Sequence, residues 1–143
     1  MELSMTRQER LAFLTDEPRV AVLSIEAVDR GPVSAPVWFT LQSGDAVAFE
    51  VGKDSRKAQL LAGANRATMC VQSEVSPYRY VAVEGPVELV GPAPDDFRRA
   101  QAVRYLGEDI GELYFASTRD EPALLLVLHP KRWASIDYNK LFA

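Results

Sequence analysis

Val33-Ser34-Ala35-Pro36-Val37-Trp38-Phe39-Thr40-Leu41 decides the fold class. Val33, Ala35, Val37, Phe39 and Leu41 fall on one side of an extended chain, and Ser34, Pro36, Trp38 and Thr40 on the other. That period of two predicts a strand with one core face and one mixed face. Gln42 to Asp45 follows as a hairpin turn into Ala46 to Val51, where Val47, Phe49 and Val51 again share a side. Upstream, the run Val20 to Ile25 has the β-branched composition of a strand and leads to the turn Asp29-Arg30-Gly31.

The pattern extends outward in both directions. Thr6-Arg7-Gln8-Glu9 has the form of a capping box, so a short helix is expected from about Arg7 to Leu14. A second helix should open near Ser55, capped by Asp54 or Ser55, and stop near Gly63. Strands are predicted over Ala67 to Val75 and Arg79 to Val90, the latter interrupted at Gly85-Pro86 by a bulge, bend or edge position, since proline cannot donate to a ladder. After Pro92 and Pro94 come a helix from Asp95 to Leu106, capped by an aspartate, and a shorter one near Gly111 to Ala116. Ala123 to Leu128 and Arg132 to Asp137 read as strand on either side of His129-Pro130, one long bent strand or two. About six strands joined mostly by short turns predict a mainly β (β+α) protein, a six-stranded antiparallel split β-barrel with flanking helices. No repeat or linker divides the chain, so residues 1–143 are expected to form one domain.

Bulk composition narrows the partners. The net charge is -4, and no basic stripe stands out, which argues against a nucleic-acid role. Cys70 is the one cysteine, ruling out an intrachain disulfide and any multi-cysteine zinc site. Met1 to Arg10 lacks the apolar core of a signal peptide and no run approaches a bilayer span, so a cytoplasmic protein without membrane contact is expected.

The basic turn Lys53-Asp54-Ser55-Arg56-Lys57 lies between a strand and a helix. A helix N-terminus offers unpaired amides and partial positive charge, and cations beside a serine hydroxyl complete an anion pocket suited to phosphate. The same residues would also suit a solvated helix start.

Taken in order, Ser34 to Phe39 (Ser-Ala-Pro-Val-Trp-Phe), Ser55 to Ala58 (Ser-Arg-Lys-Ala) and Tyr80 to Val87 (Tyr-Val-Ala-Val-Glu-Gly-Pro-Val) resemble the pyridoxamine 5'-phosphate oxidase-like flavin/deazaflavin oxidoreductases, over roughly Thr6 to Asp137. The resemblance implies a split barrel that dimerises, with two cofactor sites at the subunit interface. It implies that Ser55, Arg56 and Lys57, with Lys53 close by, hold the cofactor phosphate, and that the ring lies along Pro36, Val37 and Trp38 as far as Thr40. Residues between Ser73 and Tyr80, Tyr78 and Tyr80 among them, would approach from the partner. His129-Pro130-Lys131-Arg132-Trp133 does not reproduce the Arg-x-His substrate clamp of true pyridoxamine-phosphate oxidases, which disfavours vitamin B6 oxidation.

The remaining chemistry is sparse. Trp38 is equally suited to a ring-pocket wall or to packing against a neighbouring element. His129, the one histidine, leaves no material for a dyad or a histidine-rich metal site, and Cys70 reads as an inert thiol. No side chain is assigned a catalytic or metal-binding role, as suits hydride transfer, whose chemistry the cofactor supplies. The expected function is hydride transfer between coenzyme F420 and a small organic acceptor, with FMN as the alternative cofactor. A non-catalytic split barrel that carries a cofactor or binds haem or a fatty acid, and an interaction domain with an empty groove, are the competing classes.

Overall fold

The computed structural model describes residues 2–143. Helix α1 (Arg7–Thr15) is held at its start by the expected capping box: the Glu9 amide donates to Thr6 Oγ1 and the Thr6 amide to the Glu9 carboxylate. The strands are β1 (Ala21–Ile25), β2 (Val33–Val37), β3 (Thr40–Leu41), β4 (Val47–Gly52), β5 (Arg66–Gln72), β6 (Arg79–Pro92), β7 (Ala123–Leu128) and β8 (Arg132–Asp137). Helix α2 (Arg56–Ala64) lies between β4 and β5, and the hairpin of α3 (Asp95–Leu106) and α4 (Glu108–Thr118) lies between β6 and β7.

All strand pairs are antiparallel, in the order β2-β1-β5-β6-β7-β4-β3, with β8 added to β6. The result is a mixed β+α fold built on one curled antiparallel sheet. Eight strands replace the expected six because two expected strands are each divided. Residues 33–41 leave β1 after Val37 and join β4 at Thr40, so the Trp38-Phe39 step crosses from one half of the sheet to the other. The C-terminal run is divided at His129-Pro130, with both pieces lying along β6.

β6 makes the second crossing. Its first part pairs with β5 and β8 through Pro86, and its second part pairs with β7 from Val87 onward. Gly85 sits at the handover, where a Cβ would stand 1.8 Å from the His129 carbonyl oxygen. Gly85-Pro86 is therefore the bend that the proline suggested; the register shift falls later, between Leu89 and Gly91.

Alternation works as expected inside the curl. Val37, Phe39, Val47, Phe49 and Val51 join Leu23, Ile25, Met69, Val81 and Leu128 in the main core. A second core lies on the outer side of the sheet, where Ala46, Ala48, Leu125 and Val127 receive Phe97 of α3. β7 is consequently buried on both faces, which accounts for its uninterrupted apolar sequence. The two helices of the hairpin approach closely because a Cβ on Gly111 would come within 2.6 Å of Val103 Cα.

Several boundaries differ from those expected. α2 runs past Gly63 and stops at Asn65, whose φ of 58° supplies the left-handed cap. α3 starts after Pro94 with Asp95 and Asp96 in its first turn and no side-chain cap bond, because proline cannot cap as an aspartate would. α4 is longer than expected, and β5 ends at Gln72 rather than Val75.

Gly85→Ala should lower stability by about 3 kcal/mol or more, since the obstacle is ladder backbone and not a movable side chain. Gly63→Ala, in a helix with open space around the new methyl group, should raise it by about 0.5–1 kcal/mol. Urea unfolding of both variants checks the pair.

Candidate functional site

The basic turn is set by the end of β4. The Ser55 amide donates to the Gly52 carbonyl at 3.1 Å, and Ser55 Oγ accepts the Ala58 amide at 3.2 Å, so Ser55, and not Asp54, caps α2. Its hydroxyl proton remains available to an acceptor. Lys53 and Arg56 are exposed and Lys57 is half-buried. None of the three forms an ion pair among the described residues, although nine other arginine or lysine ion pairs are present. Three uncommitted cations at a helix start are the donor set that a phosphate would use.

Lys57 also lines a cavity of about 420 Å³, whose wall includes Pro36, Val37 and Trp38. Four of the sequence-selected residues are thus brought together, with Ser55 and Arg56 beside them in the turn. Trp38 stacks on Tyr105 of α3, ring centroids 5.0 Å apart and planes 10° apart, and lies 5.4 Å from the Tyr114 ring of α4. It both packs against a neighbouring element and forms a cavity wall.

The other side of the cavity is polar. Arg98 Nε lies 3.1 Å from Glu50 Oε2, and the same guanidinium donates to the carbonyls of Thr118, Arg119 and Glu121. Burial pushes the Glu50 carboxyl above the ordinary range, and the neighbouring Arg98 offsets part of that rise. Gln101, 1% exposed, accepts from Thr40 Oγ1 at 2.7 Å, while its Nε2 is buried without a partner. A cavity of this size with an apolar wall, a few fixed polar groups and a cationic end fits a phosphorylated planar ligand.

Tyr78 and Tyr80 lie elsewhere in the chain's own structure. Tyr80 shares the outer sheet face with Val20, Val22 and Pro36, but β1 and β5 intervene between β6 and β2, a separation of about 14 Å at ordinary strand spacing. Tyr78 is exposed in the loop before β6, its carbonyl accepting from the Tyr138 amide. Cys70, on the same outer face, has its thiol pushed up by burial, as suits an unreactive side chain. His129 pairs with Glu88 at 2.8 Å and does not line the cavity beside Lys57. Sequence reasoning missed Glu50, Arg98, Gln101, Tyr105 and Tyr114. The one available signal was a lone carboxylate, Glu50, in the otherwise apolar run Ala46 to Val51.

The curled antiparallel sheet with its flanking helices defines a split-barrel fold. The sequence profile of pyridoxamine 5'-phosphate oxidase matches residues 6–137, and the chain belongs to that family. No curated protein matches it. Among solved structures, a conserved hypothetical protein from Mycobacterium tuberculosis is similar with a TM-score of 0.76 and 19% identity, covering 99% of this chain and 90% of that one. A protein described as an F420 reductase is similar with a TM-score of 0.59 and 20% identity, over 86% of this chain and 94% of that one. HutZ, described as a heme storage protein from Vibrio cholerae, has a TM-score of 0.66 and 13% identity, over 93% and 95%. At these identities the structural likeness is one of fold.

Glu50 and Arg98 can be separated by experiment. Because the folded state raises the Glu50 pKa, it holds this proton more tightly than the unfolded chain does, so the group's contribution to stability is lost as pH rises through the range above the ordinary carboxylate value. Glu50→Gln should flatten that part of the stability-versus-pH curve. Arg98→Ala should instead cost about 3 kcal/mol near neutral pH, leaving a buried carboxylate without its cation. Thermal melts of both variants from pH 4 to 8 test the assignment, on the order of a few degrees per kcal/mol.

Proposed function

We propose that this protein is an F420-dependent oxidoreductase of the pyridoxamine 5'-phosphate oxidase family, transferring a hydride between the deazaflavin and a small organic acceptor in the cytoplasm. The observation that carries the reading is the single cavity joining Lys57, beside the basic start of α2, to Pro36, Val37 and Trp38. When bound, the cofactor supplies the hydride chemistry, and no acid, base or nucleophile of the chain is required for it. The protein's part is to hold the phosphate with Lys57, Arg56 and the Ser55 hydroxyl, to seat the ring against Pro36 to Trp38, and to exclude water with α3 and α4. Lys53, exposed one turn away, is free to meet an acidic extension of the cofactor.

The working unit in this reading is a homodimer. Val20, just ahead of β1, and Val22 on its outer face are 48% and 45% exposed, beside exposed Pro36 and on the same sheet face as half-buried Tyr80. A partner packed on that face would cover it and could carry its own Tyr78 and Tyr80 to the cavity mouth. The haem-binding alternative finds less support, because the only histidine is hydrogen-bonded to Glu88 away from the cavity.

Fluorescence titration with F420 and FMN side by side tests cofactor and class together. Lys57→Ala should weaken the bound cofactor by roughly 10- to 150-fold, the loss expected for one charge-assisted hydrogen bond of about 1.5–3 kcal/mol. The melting temperature of the apo-protein should be unchanged, since Lys57 has no partner to lose. Wild-type affinity in the variant would refute the site. Sedimentation at micromolar concentration should give a dimer, and a monomer there would remove the interface from the reading.

A further inference from the structure

We infer that Tyr105 is the positioning residue for the ring-bearing wall of the cavity, and that it acts through the backbone of Phe39. This inference rests on the proposed cofactor site and assigns to the helical hairpin a role in shaping it.

The argument begins with backbone polar groups at the first sheet crossing. β2 loses its partner β1 after the pair Ala21 and Val37, and β3 gains β4 at the pair Thr40 and Ala48. Trp38 and Phe39 therefore belong to neither ladder. Phe39 is 1% exposed, so water is a poor substitute partner for its amide and carbonyl. The amide is met by a side chain from a helix 66 residues away, donating to Tyr105 Oη at 3.0 Å, and the Phe39 carbonyl, 3.2 Å from the same oxygen, competes with the nearer Arg19 carbonyl for its one proton. The same hydroxyl donates to the Arg19 carbonyl at 2.8 Å, just ahead of β1. One phenol thus ties together the end of β2, the start of β3 and the approach to β1.

The ring of Tyr105 has a second task. It stacks on Trp38, while the neighbouring Gln101 takes the Thr40 hydroxyl on the other side of Phe39. Residues 38, 39 and 40 are each held by α3, by stacking, by a hydrogen bond to the backbone amide and by a side-chain hydrogen bond in turn. Burial pushes the Tyr105 phenol pKa upward, so the hydroxyl stays protonated and able to donate throughout the neutral range. The direction in which Trp38 faces the cavity, next to the β1-paired Pro36 and Val37, is fixed by this attachment, because the sheet releases the chain at Trp38 and Phe39. The basic turn is on another element, α2, and has no contact with Tyr105 among these bonds, so ring seating and phosphate binding are set by separate parts of the chain.

Tyr105→Phe retains the stacked ring and removes only the hydroxyl. The variant is titrated with FMN and with riboflavin, and with F420 and its phosphate-free chromophore, alongside Lys57→Ala and the double variant. Tyr105→Phe should weaken the phosphorylated and phosphate-free ligands by the same factor, about tenfold, whereas Lys57→Ala should weaken only the phosphorylated ones. The two effects should multiply in the double variant. Near-ultraviolet circular dichroism of the apo-protein should show an altered Trp38 band in Tyr105→Phe and not in Lys57→Ala. A Tyr105→Phe protein that melts earlier yet binds every ligand as wild type does would make Tyr105 purely structural and overturn the inference, leaving the proposed site intact. Loss of the distinction between phosphorylated and phosphate-free ligands in Tyr105→Phe would also overturn it, since the phosphate turn would then have been disturbed. Should wild type bind none of the four ligands, the proposed function and this inference fall together.

Discussion

The sheet can curl because β6 serves two sets of partners, and it can do so only because Gly85 has no side chain. At that point the β7–β8 connection lies against the strand so closely that a methyl group would overlap the His129 carbonyl oxygen. Before Gly85 the strand belongs with β5 and β8, and after Pro86 with β7. Without this handover the molecule would be two small open sheets with four raw edges. With it, the apolar faces of both halves turn toward one interior, and Leu23, Phe49, Val81 and Leu128 meet there with essentially no exposure.

The opposite crossing, at Trp38-Phe39, is managed by different means. No glycine is present; the chain is instead met by polar side chains from α3, and the cost of leaving the ladder is offset by hydrogen bonds from outside the sheet. A helical insertion late in the sequence is therefore part of the scaffold for a strand early in it. The insertion also builds its own small core on the outer sheet face, where alanines at 46 and 48 leave room for Phe97. Cavity, second core and strand crossing all depend on the same two helices.

This arrangement explains what could be read from the sequence and what could not. Alternation in residues 33–41 and 46–51 is local, so core faces were legible at Val37, Phe39 and Phe49, as was the capping box at Thr6 and Glu9. The break between β2 and β3 was not legible, because the alternation of side chains continues through Trp38 and Phe39 while only the hydrogen-bond partners change. Those partners include Tyr105, and nothing in its local sequence distinguishes it from any other aromatic residue on a helix. The basic turn was visible as a cluster of cations at a helix start, and the structure places Lys57 in one cavity with Pro36 to Trp38. Glu50, Arg98 and Gln101 meet only through the tertiary fold, from β4 and α3, and their pairing leaves no periodic trace. Tyr78 and Tyr80 illustrate the reverse difficulty: a sequence motif can imply closeness across two subunits that one chain does not display.

Arg98 gives the hairpin an unequal grip. Its guanidinium gathers Glu50 and the carbonyls around residues 118–121, so the C-terminal end of α4 is moored to β4. The N-terminal half of α4 has no such mooring to the sheet, and Ile110 and Leu113 there are 57% and 65% exposed. Local fluctuations of low free energy concentrate where buried contacts are few. The hairpin is therefore fastened at two places, by Arg98 at the end of α4 and by Tyr105 just ahead of the α3–α4 turn, which leaves the first half of α4 as its least tethered part.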